Sequence, residues 1–170
     1  CGCSSRSRLV CPCSFGGNID MIYFYNIHNK DAVLEDGHNV ESRDGLRATG
    51  WDLWTEMMRY PDRFEPEYFK YYSCVATIDC ITPNAAYKLT NNEDAFVDNY
   101  FDAVFPLTET GNIPSMSVGD IVFFYNHDTR KHEFWMCDKY GWTELKELNE
   151  SREKSMAKTK ALRASIEESA

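Results

Sequence analysis

The stretch "GNIPSMSVGDIVFF", residues 111–124, constrains this chain more than any other. It runs from a polar turn through small residues and a Gly-Asp pair into a solid apolar strand. A polar turn and a second strand follow at once, then a Gly turn and a third short strand, in "DIVFFYNHDTRKHEFWMCDKYGWTEL". Strand runs separated by short turn signals predict an antiparallel meander. Gly119 suits a positive φ, and the Asp120 side chain can accept from backbone N–H groups nearby. The Ser115 and Ser117 hydroxyls can satisfy donors before the ladder begins. The motif therefore reads first as a structural corner, and second as the wall of a pocket.

Upstream, "MIYFYNIHN" predicts a strand of alternating aromatic and aliphatic residues. "LRATGWDLWTEMMRYPDRF" predicts a helix with Trp51, Trp54, Met57 and Met58 on one face and Pro61 at its end. "YFKYYSCVATIDCI" predicts a second strand with Cys74, Ala76, Ile78 and Cys80 on one face. "TNNEDAFVDNYFDAVF" predicts a further helix, capped near Thr90–Asn92, with Phe96, Val97, Tyr100, Phe101, Val104 and Phe105 as its apolar stripe. The expected fold is α+β: a small mixed or antiparallel sheet, two packed helices, a C-terminal meander and a C-terminal helical tail.

The chain divides into three parts. Residues 1–20 hold Cys1, Cys3, Cys11 and Cys13 with Ser and Gly and no periodicity. They read as an unpacked leader or frame extension before a start at Met21, with a four-thiolate zinc clip or a lipidated Cys1 as alternatives. Residues 21–148 read as one domain. Residues 149–170 read as a charged helical tail, thin in apolar residues (Met156, Leu162, Ile166), frayed or packed on a neighbouring chain.

Charge narrows the partners. The net charge is −9. The first 20 residues and the last 22 each carry +1, leaving −11 on residues 21–148. An acidic body argues against direct nucleic-acid binding through phosphates. It fits a protein partner. Asp94, Asp98 and Asp102 fall at i, i+4 and i+8, so an acidic ridge that mimics DNA is a further reading. No apolar run approaches the ~18 residues of a membrane span.

Little points to catalysis. His127, Asp128 and His132 sit on a polar turn, with Asp120 and Asp138 at strand ends, and read as solvated rather than as a metal site. Cys74, Cys80 and Cys137 lie among apolar neighbours and read as reduced, buried thiols. No P-loop, G-x-G-x-x-G, G-x-S-x-G or H-E-x-x-H motif occurs. No cofactor or metal is expected.

Ser115, Met116, Ser117, Val118, Asp120, Ile121 and Val122, followed by Asp138, Gly141, Trp142 and Leu145, resemble the YodL-like domain of bacterial mobile-element proteins. The aromatic-rich "AFVDNYFDAVF" before them matches that family's preceding helix. The resemblance covers about residues 90–148. Gly119 departs from the family's more frequent Ser, and Ile113-Pro114 replaces its Gly-His pair. It implies a soluble accessory protein of a phage or mobile element, in the cytoplasm of a bacterial host, and brings no catalytic residues. The expected function is thus protein–protein contact, with a homo-oligomer through 149–170 as one form of it. Ser115, Ser117, Asp120, Asp138 and Trp142 form the expected binding surface. A small enzyme or nucleotide-recognising module, using the 111–124 loop as a pocket wall, is the alternative.

Overall fold

Every residue from Ile121 to Phe124 is buried. A strand's side chains alternate between faces, so both faces of its sheet must be covered. The computed structural model describes residues 21–27, 29–35, 39–91 and 100–168, and shows how this is done. The strands are β1 (Met21–Asn26), β2 (Ser73–Asp79), β3 (Val104–Pro106), β4 (Ile121–Asn126), β5 (Lys131–Asp138) and β6 (Gly141–Glu144). They form one six-stranded antiparallel sheet in the order β3-β2-β1-β4-β5-β6. The helices are α1 (Gly50–Arg59), α2 (Pro83–Asn91), the single turn α3 (Tyr100–Ala103) and α4 (Lys146–Glu168). Two 3₁₀ segments, Pro61–Arg63 and Pro66–Tyr71, lie between α1 and β2.

One face of the sheet packs Tyr25, Ile121, Phe123, Phe134 and Met136 against Leu53 and Met57 of α1, Tyr68 and Tyr72, and Leu145 before α4. The other face packs Ile22, Phe24, Ala76, Ile78, Val122 and Phe124 against Ala86 of α2 and Met116. Each fully buried side chain of this size contributes roughly 1.5–3 kcal/mol relative to exposure. Met116 belongs to the strap that carries the chain from β3 to β4. Those strands are separated by β2 and β1, so the strap must pass both, and the Asn91 side-chain amide donates to the Met116 carbonyl (3.0 Å) and ties it to α2.

The α+β class, the antiparallel sheet, the meander and the C-terminal helix are as the sequence predicts. Four local expectations are corrected. The buried face of α1 is Leu53 and Met57; Trp51 is exposed and Trp54 half-buried, and the two indoles hold the Lys30 ammonium over their rings at 4.5 and 3.8 Å. Aromatic bulk at helical spacing here makes a cation–π clamp at the rim rather than core. In β2, Phe24 pairs with Ala76 and Tyr25 with Cys74, so Val75 is an extra, bulged residue. The bulge reverses the alternation: Cys74 packs on the α1 side, while Ala76, Ile78 and Cys80 pack on the α2 side.

The helix expected over 90–105 is also revised. Its residues 92–99 lie outside the described residues. Thr90 and Asn91 end α2 rather than cap a new helix, with the Thr90 hydroxyl donating to the Ala86 carbonyl (3.0 Å). Val104 and Phe105 are strand, paired with Ile78 and Thr77. Finally, the tail helix begins at Lys146, so its first turns belong to the body. Residues 1–20 lie outside the described residues. Among the described residues, no helix is long and apolar enough to cross a membrane.

The start of α1 is fixed by Asp52. Its buried carboxylate accepts from the Thr49 amide (2.8 Å), the Thr49 hydroxyl (3.0 Å) and the Arg43 guanidinium (3.2 Å). Burial alone would raise its pKa, but these donors outweigh burial and hold it below the usual carboxylate range. Its stabilisation is therefore present above the unfolded-state pKa and is lost as pH falls through the lower folded value. Asp52→Ala is expected to cost about 1–2 kcal/mol near neutrality, and less in acid, as urea unfolding at pH 7 and pH 3 would measure.

Candidate functional site

Two places collect polar and aromatic side chains: the corner at the start of β4, and a groove at the far end of the same strand. At the corner, Ser117–Asp120 is a tight turn with the Asp120 amide donating to the Ser117 carbonyl (3.0 Å). Gly119 sits at its third position with φ +90°, as a type II turn requires. A Cβ there would lie 2.9 Å from the Met57 Cβ, so glycine is needed for α1 to approach as well.

Asp120 is 1% exposed. Its carboxylate accepts from the Asn26 side-chain amide (2.7 Å) and the Ser117 backbone amide (2.8 Å). The buried Tyr72 hydroxyl donates to the Gly119 carbonyl (2.8 Å), and the Gly119 amide to the Cys137 carbonyl (2.9 Å). The corner thus bolts β1, β4, β5 and the second 3₁₀ segment together. Burial pushes the Asp120 carboxyl up to about 7, against the opposing pull of Ser117, Asn26 and Lys30. Tyr72 is raised well above its ordinary value by burial and then by Asp120. Such a shifted acid is a common sign of a reactive site, but this one has no route to solvent.

The groove has a volume of about 720 Å³. Phe124, Trp135 and Trp142 provide its aromatic surface, Ile81–Asn84 one wall, and Asn126, His127 and Asp128 its polar end. Both indole N–H groups are used inside the protein: Trp142 donates to Asn84 Oδ1 (2.8 Å) and Trp135 to Glu133 Oε2 (2.8 Å). Glu133, buried beside the groove, also accepts from the Asn126 amide (2.8 Å) and the Thr129 hydroxyl. Burial would raise its carboxyl, but these donors hold it below the usual range.

Of the expected surface, Ser117 and Asp120 come together, Ser115 is exposed beside them, and neither serine lines the groove. Asp138 is separate: it accepts from the Lys139 amide and the Thr143 hydroxyl (3.1 Å) at the β5–β6 turn. Trp142 lines the groove rather than the corner. Asp94 and Asp98 lie outside the described residues, and Asp102 is exposed on α3. His132 packs flat on Phe123 (5.5 Å between ring centres), its pKa lowered by burial and by Arg152. His127 packs edge-on against Tyr125. Among the described residues, no three His, Cys, Asp or Glu side chains converge to hold a metal. Burial pushes Cys74 and Cys80 up to about 12 and Cys137 to about 11, so all three stay thiols at neutral pH. Asn26, Tyr72, Asn84 and Glu133 are the polar partners that the motif did not reveal.

No family model, no curated protein and no solved structure matches this chain.

The corner has a pH signature. Asp120 keeps its proton in the folded state to about 7, whereas the unfolded chain releases it near 3.8. The stability this confers is present below the unfolded value and is lost as pH rises through the folded one, by up to roughly 4 kcal/mol. Wild type should therefore lose stability relative to Asp120→Asn between pH 4 and pH 7, in urea unfolding of both proteins. Parallel profiles would show that the carboxyl is not shifted.

Proposed function

We propose that this protein acts by protein–protein contact, with α4 as its principal contact element. One observation carries the reading. From Lys154 to Glu167 every side chain of α4 is exposed, including Met156 (47%), Leu162 (61%) and Ile166 (60%). An isolated helix of this length is marginal in water, and helices in proteins draw most of their stability from a packed apolar face. Here the face continues, exposed, past the last described bonds to the body. Among the described residues, those last bonds between α4 and the body are Arg152 over the Phe123 ring (4.8 Å) and the Lys131 ammonium donating to Glu153 (3.0 Å). The biological setting we propose is that of a phage or mobile-element accessory protein in a bacterial cytoplasm. It rests on the residues that resemble the YodL-like domain.

A second reading has its own observation. The aromatic groove suits a flat ring stacked on Trp135 or Trp142, worth roughly 1–3 kcal/mol for a nucleobase. Asp128 at its polar end favours a nucleobase or nucleoside over a phosphorylated one. The site of this alternative is the groove, to which the 111–124 stretch contributes Phe124.

A photo-crosslinker at position 162 tests the first reading. Adducts to a defined polypeptide surface are expected, with none from the same probe at Glu109, an exposed residue of the strap. Equal background labelling at both positions would remove α4 from the function. Tryptophan fluorescence titrated with nucleosides tests the second. Saturable quenching abolished by Trp142→Ala is its expected result.

A further inference from the structure

The geometry points to a second copy of this chain as the partner of α4, in a two-fold arrangement that lays the tail of each α4 along the root of the other. This deepens the reading of α4 as a contact surface and rests on it. Three observations carry it.

The first is charge. Lys154, Lys158, Lys160 and Arg163 follow one another on the exposed tail with no acid between them. Around the root of α4 the sign reverses. Two adjoining depressions there share Asp62, Phe64 and Glu147. Their lining carries Asp62, Glu65, Glu144 and Glu147, with Lys146 and the Glu56–Arg63 ion pair among them. One helix is thus acidic-flanked at its start and basic from Lys154 to Arg163, before Glu167 and Glu168 close it. An antiparallel pair brings each basic tail onto an acidic root, whereas a parallel pair sets like on like.

The second is apolar pattern. The depression at the root is floored by Phe64, Pro66 and Leu148. Leu148, Ser155 and Leu162 recur at seven-residue spacing, and Thr159 and Ile166 interleave at the same spacing. Leu148, Leu162 and Ile166 thus share one side of α4, with Ser155 and Thr159 between them and Arg152 turned onto Phe123 of the body. The face of α4 that lines the trough is therefore the face that continues, uncovered, along the tail.

The third is reach. Residues 154–167 extend the helix about 20 Å beyond its last described bond to the body, at about 1.5 Å per residue. That equals the length of the helix from Lys146 to Lys158, so tail and root can overlap along one another. A two-fold contact buries the same patch twice, and closure of the pair leaves no further tail or trough free.

Sedimentation of the full chain under reducing conditions, at tens of micromolar and low salt, tests this. A species of twice the 19.7 kDa chain mass is expected, shifting to monomer as salt is raised. Leu162→Glu with Ile166→Glu should give monomer with unchanged circular dichroism. Reversing the tail (Lys158→Glu, Lys160→Glu, Arg163→Glu) should also give monomer. Reversing the root (Asp62→Lys, Glu144→Lys, Glu147→Lys) should do the same, and an equimolar mixture of the two reversed proteins should dimerise again. A monomeric wild type, or a dimer that survives the Leu162 and Ile166 changes, overturns the proposal. A monomeric wild type that still crosslinks from position 162 to a different polypeptide keeps α4 as a contact element and removes only self-association.

Discussion

The structure depends on burying β1 and β4 from both sides. They are the central pair of the sheet, with Phe24 opposite Val122 and Tyr25 opposite Ile121. Neither face can be left wet, so the chain covers each with different material. α1 and the 3₁₀ segments cover one face with Leu53, Met57, Tyr68 and Tyr72. α2 and the β3–β4 strap cover the other with Ala86 and Met116. The strap explains the small and polar residues of the opening motif. It crosses two strands, buries one methionine, turns at Gly119 under α1 and enters β4. Little about it requires a reactive role.

Two buried carboxylates near the ends of β4 behave oppositely, and donor supply explains the difference. Each is met by the asparagine that ends a Tyr-Asn strand terminus, Asn26 for Asp120 and Asn126 for Glu133. Glu133 also receives the Thr129 hydroxyl and the Trp135 indole, and its acidity rises. Among the described residues, Asp120 receives one backbone amide besides Asn26, at the deepest polar position, and burial wins. A buried carboxylate needs several donors to match what water provides.

Much of the fold was legible. The meander was clear because its turns carry Asp-Thr-Arg and Gly signals between strongly apolar runs. The corner was clear because Gly-Asp before a strand has few other uses. What failed did so for identifiable reasons. The Trp51–Trp54 spacing looked like core, yet core went to Leu53 and Met57, since Lys30 offers the indoles a better neighbour. Val104 and Phe105 fit a helical stripe, but β2 had an open edge and two β-favouring residues filled it. The bulge at Val75 leaves no mark in the local pattern. The groove was illegible because its lining comes from separate segments, and Trp142, which the sequence placed on a binding surface, was grouped with the corner instead.

The pairing of β1 with β4 also sets a timetable. Phe24 meets Val122 across 98 residues of chain. At synthesis rates of about 5–20 residues per second, β1 waits roughly 5–20 s for its central partner to be made. In that interval β2 can pair with one edge of β1, and α1 and α2 are already made, but the other edge of β1 stays unpaired. An unpaired strand edge beside an apolar core is prone to wrong pairing, so the synthesis of β4 closes the interval in which this chain is most exposed to aggregation.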